Sequence, residues 1–161
     1  MPLSDKLTSF IRLSAMISIL LLTGCASTSE TNPIEAFQTT SPAVNYALSL
    51  QGAPYIYGQS SPEKGFDCSG FVKHVYEIQG IHLPRTSFDM AQALPRVDEN
   101  DIHPGDLVFF DTDGHAYSHV GIYVNRDKFI HAPSRHTGKV LISSLKNDYW
   151  QHHYTGARRP R

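Results

Sequence analysis

Apolar residues recur along this chain with two different periods, and the switch between them divides its larger part in two. From residue 41 to residue 93 the spacing is helical. Ser41-Pro42 places a capping side chain before a proline at the first helical position, and a helix follows to about Gln51, where Gly52 stops it. Residues 53–66 carry Pro54, Gly58, Pro62 and Gly65 and read as loop. A second helix starts near Cys68, sets Phe71, Val72, Val75 and Tyr76 on one face, and ends at Gly80. A shorter third helix fits 87–93. Beyond it the period becomes two. Segments 107–111, 119–125, 128–132, 140–143 and 154–158 are short, rich in β-branched and aromatic residues, and separated by turn residues. Helices first and strands afterwards predict an α+β domain, with N-terminal helices packed on a mostly antiparallel sheet of about five strands.

The first forty residues follow neither pattern. Lys6 and Arg12 precede the apolar run from Leu13 to Leu22, which is too short to span a bilayer comfortably and reads as the core of a signal peptide. It ends in Leu22-Thr23-Gly24-Cys25, which looks like a lipobox, the motif in which the cysteine is acylated and becomes the new N-terminus. Ala26 follows rather than Asp, implying sorting to the outer membrane of a Gram-negative cell, on its periplasmic side. The expected organisation is a signal peptide over 1–24, a lipidated flexible tether rich in Ser, Thr, Asn and Pro over 25–42, and one folded domain over 43–161.

At 161 residues the chain has room for one domain with a real core. Its formal net charge of −1 offers nothing to nucleic acid, and removal of Lys6, Arg12 and Asp5 with the leader leaves it slightly more acidic. Charge will not hold such a domain on an anionic membrane, so the lipid at Cys25 is the expected anchor. With Cys25 acylated, Cys68 is a lone thiol in an oxidising compartment, where a disulfide would otherwise be the default.

Cys68 stands at the start of a helix, where unpaired N–H groups and the positive end of the dipole favour a thiolate. Gly65 and Gly70 beside it allow another segment to approach. Alternation along 119–125 points Val120, Ile122 and Val124 to one face of a strand and His119, Gly121 and Tyr123 to the other, with room over Gly121 for a substrate or a partner. A hairpin turning at Asn125-Arg126-Asp127 sets His131 beside or diagonal to His119 if the register holds. Cys68 as nucleophile, His119 as base and acid, and His131 orienting His119 make a Cys-His-His arrangement. The Cys68 backbone N–H, with Tyr55 as a side-chain donor, is the candidate oxyanion site.

These residues match a family. Tyr55-Ile56-Tyr57-Gly58 with Gly65-Phe66-Asp67-Cys68-Ser69-Gly70 resembles the nucleophile block of the NlpC family of cell-wall cysteine peptidases. Leu83-Pro84-Arg85-Thr86-Ser87, Pro104-Gly105-Asp106-Leu107-Val108-Phe109-Phe110, Ser118-His119-Val120-Gly121-Ile122-Tyr123 and Phe129-Ile130-His131-Ala132 resemble its later blocks, and Tyr149-Trp150 with Gly156-Ala157-Arg158-Arg159 its ending. The pattern departs at Gln59, which follows Gly58 where members often carry a second glycine. The resemblance covers about residues 43 to 159 and implies a papain-like fold, a peptidoglycan stem-peptide substrate and Cys68, His119 and His131 as the triad. The small lipoprotein form is most similar to the Spr-type murein endopeptidases, which cut the D-alanyl–diaminopimelate crosslink. Other members cut between D-glutamate and the diamino acid. An acyltransferase or amidase on the same fold, or a non-catalytic wall-binding scaffold, are the alternatives of a different class.

Several of these side chains have two readings. Asp67 either binds a substrate ammonium or caps the Cys68 helix. Arg85 either clamps a substrate carboxylate or pairs with Asp67 or Asp106. Ser69 offers a hydroxyl to the cleft or is an ordinary first-turn serine, and Asp106 reads as a turn residue. Nine histidines raise a metal reading, but no His-Glu-x-x-His occurs and Cys68 has no second cysteine nearby, so neither metal nor other cofactor is expected. Trp150 and the Phe109-Phe110 pair read as core. The domain is expected to act as a monomer on stem peptides, and any regulatory adaptor or protease that restrains it leaves no mark in the sequence.

Overall fold

The computed structural model describes residues 39–161. The leader, the lipidation expectation at Cys25 and most of the tether lie outside the described residues. Helix α1 (Pro42–Ser49) is capped by Ser41, whose side chain accepts from Val44 N, and two hydrogen bonds between Thr39 and Asn45 tie the preceding segment to its first turn. A two-residue ladder, β1 (Ser60–Ser61) with β2 (Gly65–Phe66), lies inside the segment read as loop. Helices α2 (Cys68–Ile78) and α3 (Ser87–Ala93) follow at the expected positions.

Then come β3 (Arg96–Val97), β4 (Leu107–Phe110), β5 (His119–Asn125), β6 (Lys128–His131), β7 (Leu141–Ser144), a short helix α4 (Asp148–His153) and β8 (Tyr154–Arg158). The main sheet has six strands in the order β3-β8-β4-β5-β6-β7, every neighbouring pair antiparallel. The architecture is the α+β arrangement read from the sequence, with one strand more than the five expected. That strand, β3, has two residues, too few to show any alternation, and is made by pairing with β8. Also unforeseen is α4, six residues long and begun by Asn147, whose side chain accepts from Tyr149 N.

Alternation along the strands sorts the core. One face of the sheet carries Leu107, Phe109, Val120, Ile122, Val124 and Ile130 against Val44, Phe71, Val72 and Val75 of the helices. Each such fully buried side chain contributes about 1.5–3 kcal/mol. The other face carries Val108, Phe110, Phe129 and Ala157, with Trp150 of α4 packed on them. Both faces of β4 are therefore covered, and all four of its residues are buried. The adjacent phenylalanines go to opposite sides: Phe109 joins the helical layer and Phe110 meets Trp150, ring centroids 4.8 Å apart.

A tight hairpin fixes the register that matters most. Arg126 and Asp127 both have positive φ, 46° and 61°, and Asn125 pairs with Lys128 across them. Two consecutive left-handed residues give the turn whose twist matches the flanking strands. Ile122 then faces Ile130 and Tyr123 faces Phe129.

Candidate active site

Cys68 is the first residue of α2, and the loop before it is held by the acid that caps the helix. Asp67 Oδ1 accepts from Gly70 N at 2.7 Å, and Oδ2 accepts from Gly58 N at 2.8 Å. Arg85 grips both oxygens, Nη1 at 3.0 Å and Nη2 at 2.6 Å, and donates from Nη1 to Ser69 Oγ at 2.9 Å. Capping and internal pairing are thus the arrangements found for Asp67 and Arg85. Both Asp67 oxygens are occupied from within the chain, which removes the free carboxylate an ammonium would need. Asp106, read as a turn residue, is buried and accepts from Arg159 Nε and Nη2, each at 2.8 Å, so it also anchors the end of the chain.

The approach expected at the glycines is made by the Tyr55 loop itself. The Gln59 carbonyl accepts from Asp67 N and lies where a Cβ on Gly70 would be 2.2 Å away. Departure from the family pattern at Gln59 therefore changes a side chain, while the contact to α2 is made by backbone.

The histidines meet on the face away from the main helices. His131 lies diagonal to His119 across the β5–β6 pair, with His119 Nε2 and His131 Nδ1 2.7 Å apart. A Cβ on Gly121 would sit 2.7 Å from Phe129 Cδ2 and 3.1 Å from His131 Cβ. The room over Gly121 is thus filled by the next strand's side chains rather than by a substrate. On its far side His131 Nε2 lies 2.9 Å from Ser143 Oγ of β7. Trp150 closes this face: its ring stacks on His119 at 5.5 Å and 29°, and stands edge-on to His131 at 4.8 Å and 86°. Trp150 is core as read, but half-buried and packed on both histidines. Neither it nor Ser143 was singled out for the site. A hint of Ser143 was present, since His119, His131 and Ser143 are spaced twelve apart on successive strands.

Cys68, His119, Tyr55, Asp67, Ser69 and Arg85 line one cleft of about 560 Å³, with His131 buried behind it. A similar cavity of about 580 Å³, walled by Ile102, Tyr123, Leu145 and Tyr154, holds none of them. Among the described residues no group of three or more His, Cys, Asp or Glu side chains is placed to hold a metal ion.

The electrostatics correct one expectation. Burial, and next the neighbouring Asp67 carboxylate, push the Cys68 thiol up to about 11. The N–H groups of Ser69 and Val120 and the Arg85 charge act the other way without prevailing. A helix start alone does not make a thiolate here, because burial, and after it the charge of the capping acid, outweigh the helix-start N–H groups. Burial holds His119 down at about 4 and His131 well below the usual histidine range, with His119 adding to the effect on His131. The Cys68 and His119 shifts both favour a neutral thiol with a neutral imidazole, an acid and a base, over a preformed ion pair. Burial, then Cys68 and Asp67, raise Tyr55, so its hydroxyl stays a donor.

A model of the NlpC/P60 family matches residues 52–159. The murein DD-endopeptidase MepH of Escherichia coli (strain K12) is 44% identical over 127 residues, covering 76% of this chain and 46% of that protein. The gamma-DL-glutamyl hydrolase of Bacillus subtilis (strain 168) is 43% identical over 120 residues, covering 73% of this chain and 29% of that protein. This chain thus spans less than half the length of those relatives. Among solved structures, an NlpC/P60 family protein from Bacillus cereus ATCC 10987 superposes with a TM-score of 0.69 at 33% identity, covering 76% of this chain and 41% of that one.

Proposed function

This chain belongs to the NlpC/P60 family, and on that premise we propose that it is a peptidoglycan endopeptidase that cuts stem-peptide bonds with Cys68 as nucleophile. The observation that carries this reading is the placement of Cys68 and His119 in one cleft, with His131 bonded to the ring nitrogen of His119 that leaves Nδ1 for the thiol.

In this reaction Cys68 Sγ attacks the scissile carbonyl while its proton passes to His119 Nδ1. The imidazolium keeps its Nε2–H on His131 Nδ1. The Cys68 backbone N–H, at the open first turn of α2, and the Tyr55 hydroxyl face the oxyanion. Collapse of the tetrahedral adduct breaks the C–N bond, and the leaving amine takes the proton from His119. Water then gives a proton to the same nitrogen, adds to the thioester and releases the acid and the free thiol. Asp67, Ser69 and Arg85 wall the cleft as one neutralised unit.

The bond we favour is the D-alanyl–diaminopimelate crosslink, supported by the similarity to a murein DD-endopeptidase. The second reading, the bond after D-glutamate, is supported by the similarity to a gamma-DL-glutamyl hydrolase. Our reading extends to the N-terminus: residues 1–24 act as a signal peptide, Cys25 carries lipid, and a tether to residue 42 holds a monomeric domain on the periplasmic side of the outer membrane. The motif Leu22-Thr23-Gly24-Cys25 supports it.

Digestion of purified sacculi by the full-length chain, with products weighed by mass spectrometry, tests the function. Conversion of crosslinked dimers into intact tetrapeptide monomers is the expected result. Fragments split after D-glutamate would move the bond, and unaltered sacculi would overturn the function.

A further inference from the structure

Behind the two histidines stands a third polar group. Ser143 lies on β7, diagonal to His131 exactly as His131 lies diagonal to His119, so one polar row runs across three strands. His131 is fully buried, and among the described residues Ser143 Oγ is the side-chain partner of its Nε2. Ser143 itself is half-buried.

Two neutral rings bonded in series have only two ways to share their protons. In one, His119 donates from Nε2 to His131 Nδ1, and His131 donates from Nε2 to Ser143. His119 Nδ1 is then bare and can accept a proton. In the other, His131 donates from Nδ1 to His119 Nε2, so the His119 proton moves to Nδ1. A ring in that state cannot take a proton from a thiol. The first arrangement needs an acceptor at His131 Nε2, since a buried N–H without one is costly, about 1–3 kcal/mol. The second needs no acceptor there: the hydroxyl can turn and donate to the bare Nε2. Without the hydroxyl a bare buried nitrogen is a smaller loss than a bare N–H, so removing Ser143 penalises the first arrangement more. When His119 becomes an imidazolium, the same row passes part of the charge outward through His131 to the hydroxyl.

We infer that Ser143 is a positioning residue: by accepting from His131 Nε2 it stabilises the tautomers that leave His119 Nδ1 free to act as base, which lose most when the hydroxyl is removed. The catalytic consequence rests on the proposed Cys68 reaction. The tautomer consequence does not.

The test uses the full-length chain, Ser143→Ala and Ser143→Thr. Long-range proton–nitrogen NMR reads which nitrogen of each ring carries the proton, and muropeptide digestion reads kcat and KM. Protonated Nε2 on both rings is expected in the unaltered chain and in Ser143→Thr. In Ser143→Ala the proton is expected to move to Nδ1 on both rings in part or all of the population, with kcat down about 10- to 100-fold, as for other groups that orient a functional histidine, and KM unchanged. Full kcat in Ser143→Ala, or rings whose tautomers do not change on loss of the hydroxyl, would overturn the inference, as would a Thr variant no better than Ala. If the unaltered chain cuts nothing, the proposed function falls, and the NMR comparison still decides whether Ser143 sets the tautomers.

Discussion

His119 and His131 meet on a diagonal of the sheet, Nε2 to Nδ1 at 2.7 Å, with Gly121 directly opposite His131 in the register of the two strands. The contact depends on what Gly121 lacks. Gly121→Ala is expected to push Phe129 and His131 aside, because the new methyl would lie 2.7 Å from Phe129 Cδ2. Overpacking of this kind costs about 1–3 kcal/mol. We expect a folded variant with a lower urea midpoint and at least about a hundredfold lower cleavage, given the usual cost of a misplaced catalytic group. Unchanged cleavage would detach the diagonal from the chemistry.

The state of the resting thiol is open to a direct test. With Cys68 at about 11, alkylation by iodoacetamide should be slow at neutral pH and rise about tenfold per pH unit as the thiolate fraction grows. A rate already level between about pH 5 and pH 8 would instead indicate a preformed thiolate–imidazolium pair.

Histidine burial sets an acid limit. His119 titrates near 6.5 when unfolded and at about 4 in the fold. The unfolded chain therefore binds more protons within that window, and stability falls as the pH drops through it. His131 is shifted in the same direction and adds to the slope. His119 alone accounts for on the order of 3 kcal/mol once the pH reaches about 4. NMR titration should show neither ring charging between about pH 5 and pH 7, and a midpoint near 6.5 for either would contradict this.

Asp67 is nearly buried and its charge is met by Arg85. Arg85→Ala should lower stability by about 1–3 kcal/mol, since it strips a buried carboxylate of two hydrogen bonds while the helix cap remains. Arg85→Lys should recover only part, because an ammonium cannot reproduce the two-pronged grip. Urea unfolding of the three proteins orders them, and an Ala variant as stable as the parent would show that the pair is idle.

Where the sequence spoke, it spoke through period and punctuation. The 119–125 strand was legible because its alternation is unbroken, and the start of the Cys68 helix because Asp67 and the glycines mark it. A place for His131 beside or diagonal to His119 followed from parity and a turn at Asn125-Arg126-Asp127, and the hairpin register makes it the diagonal. Less legible were β3 and α4, which are too short to carry a period and exist because β8 and the Phe110–Phe129 face receive them. Thiol electrostatics were misjudged for a related reason. The helix start is a local signal, whereas the burial that chiefly outweighs it comes from packing, with the adjacent Asp67 charge adding to it. Ser143 has no signature of its own, and the twelve-residue spacing that hints at it gains meaning only once the strand register is known.

The central claim is that Cys68 forms the bond to substrate. It is tested most directly by comparing the full-length chain with Cys68→Ala on a defined crosslinked muropeptide dimer, following dimer loss by mass spectrometry and confirming the fold by circular dichroism. Dimer loss with the parent chain, and none above buffer with a folded Cys68→Ala, is the predicted result. Turnover by the alanine variant would contradict it, because no other cysteine stands among the described residues to take its place.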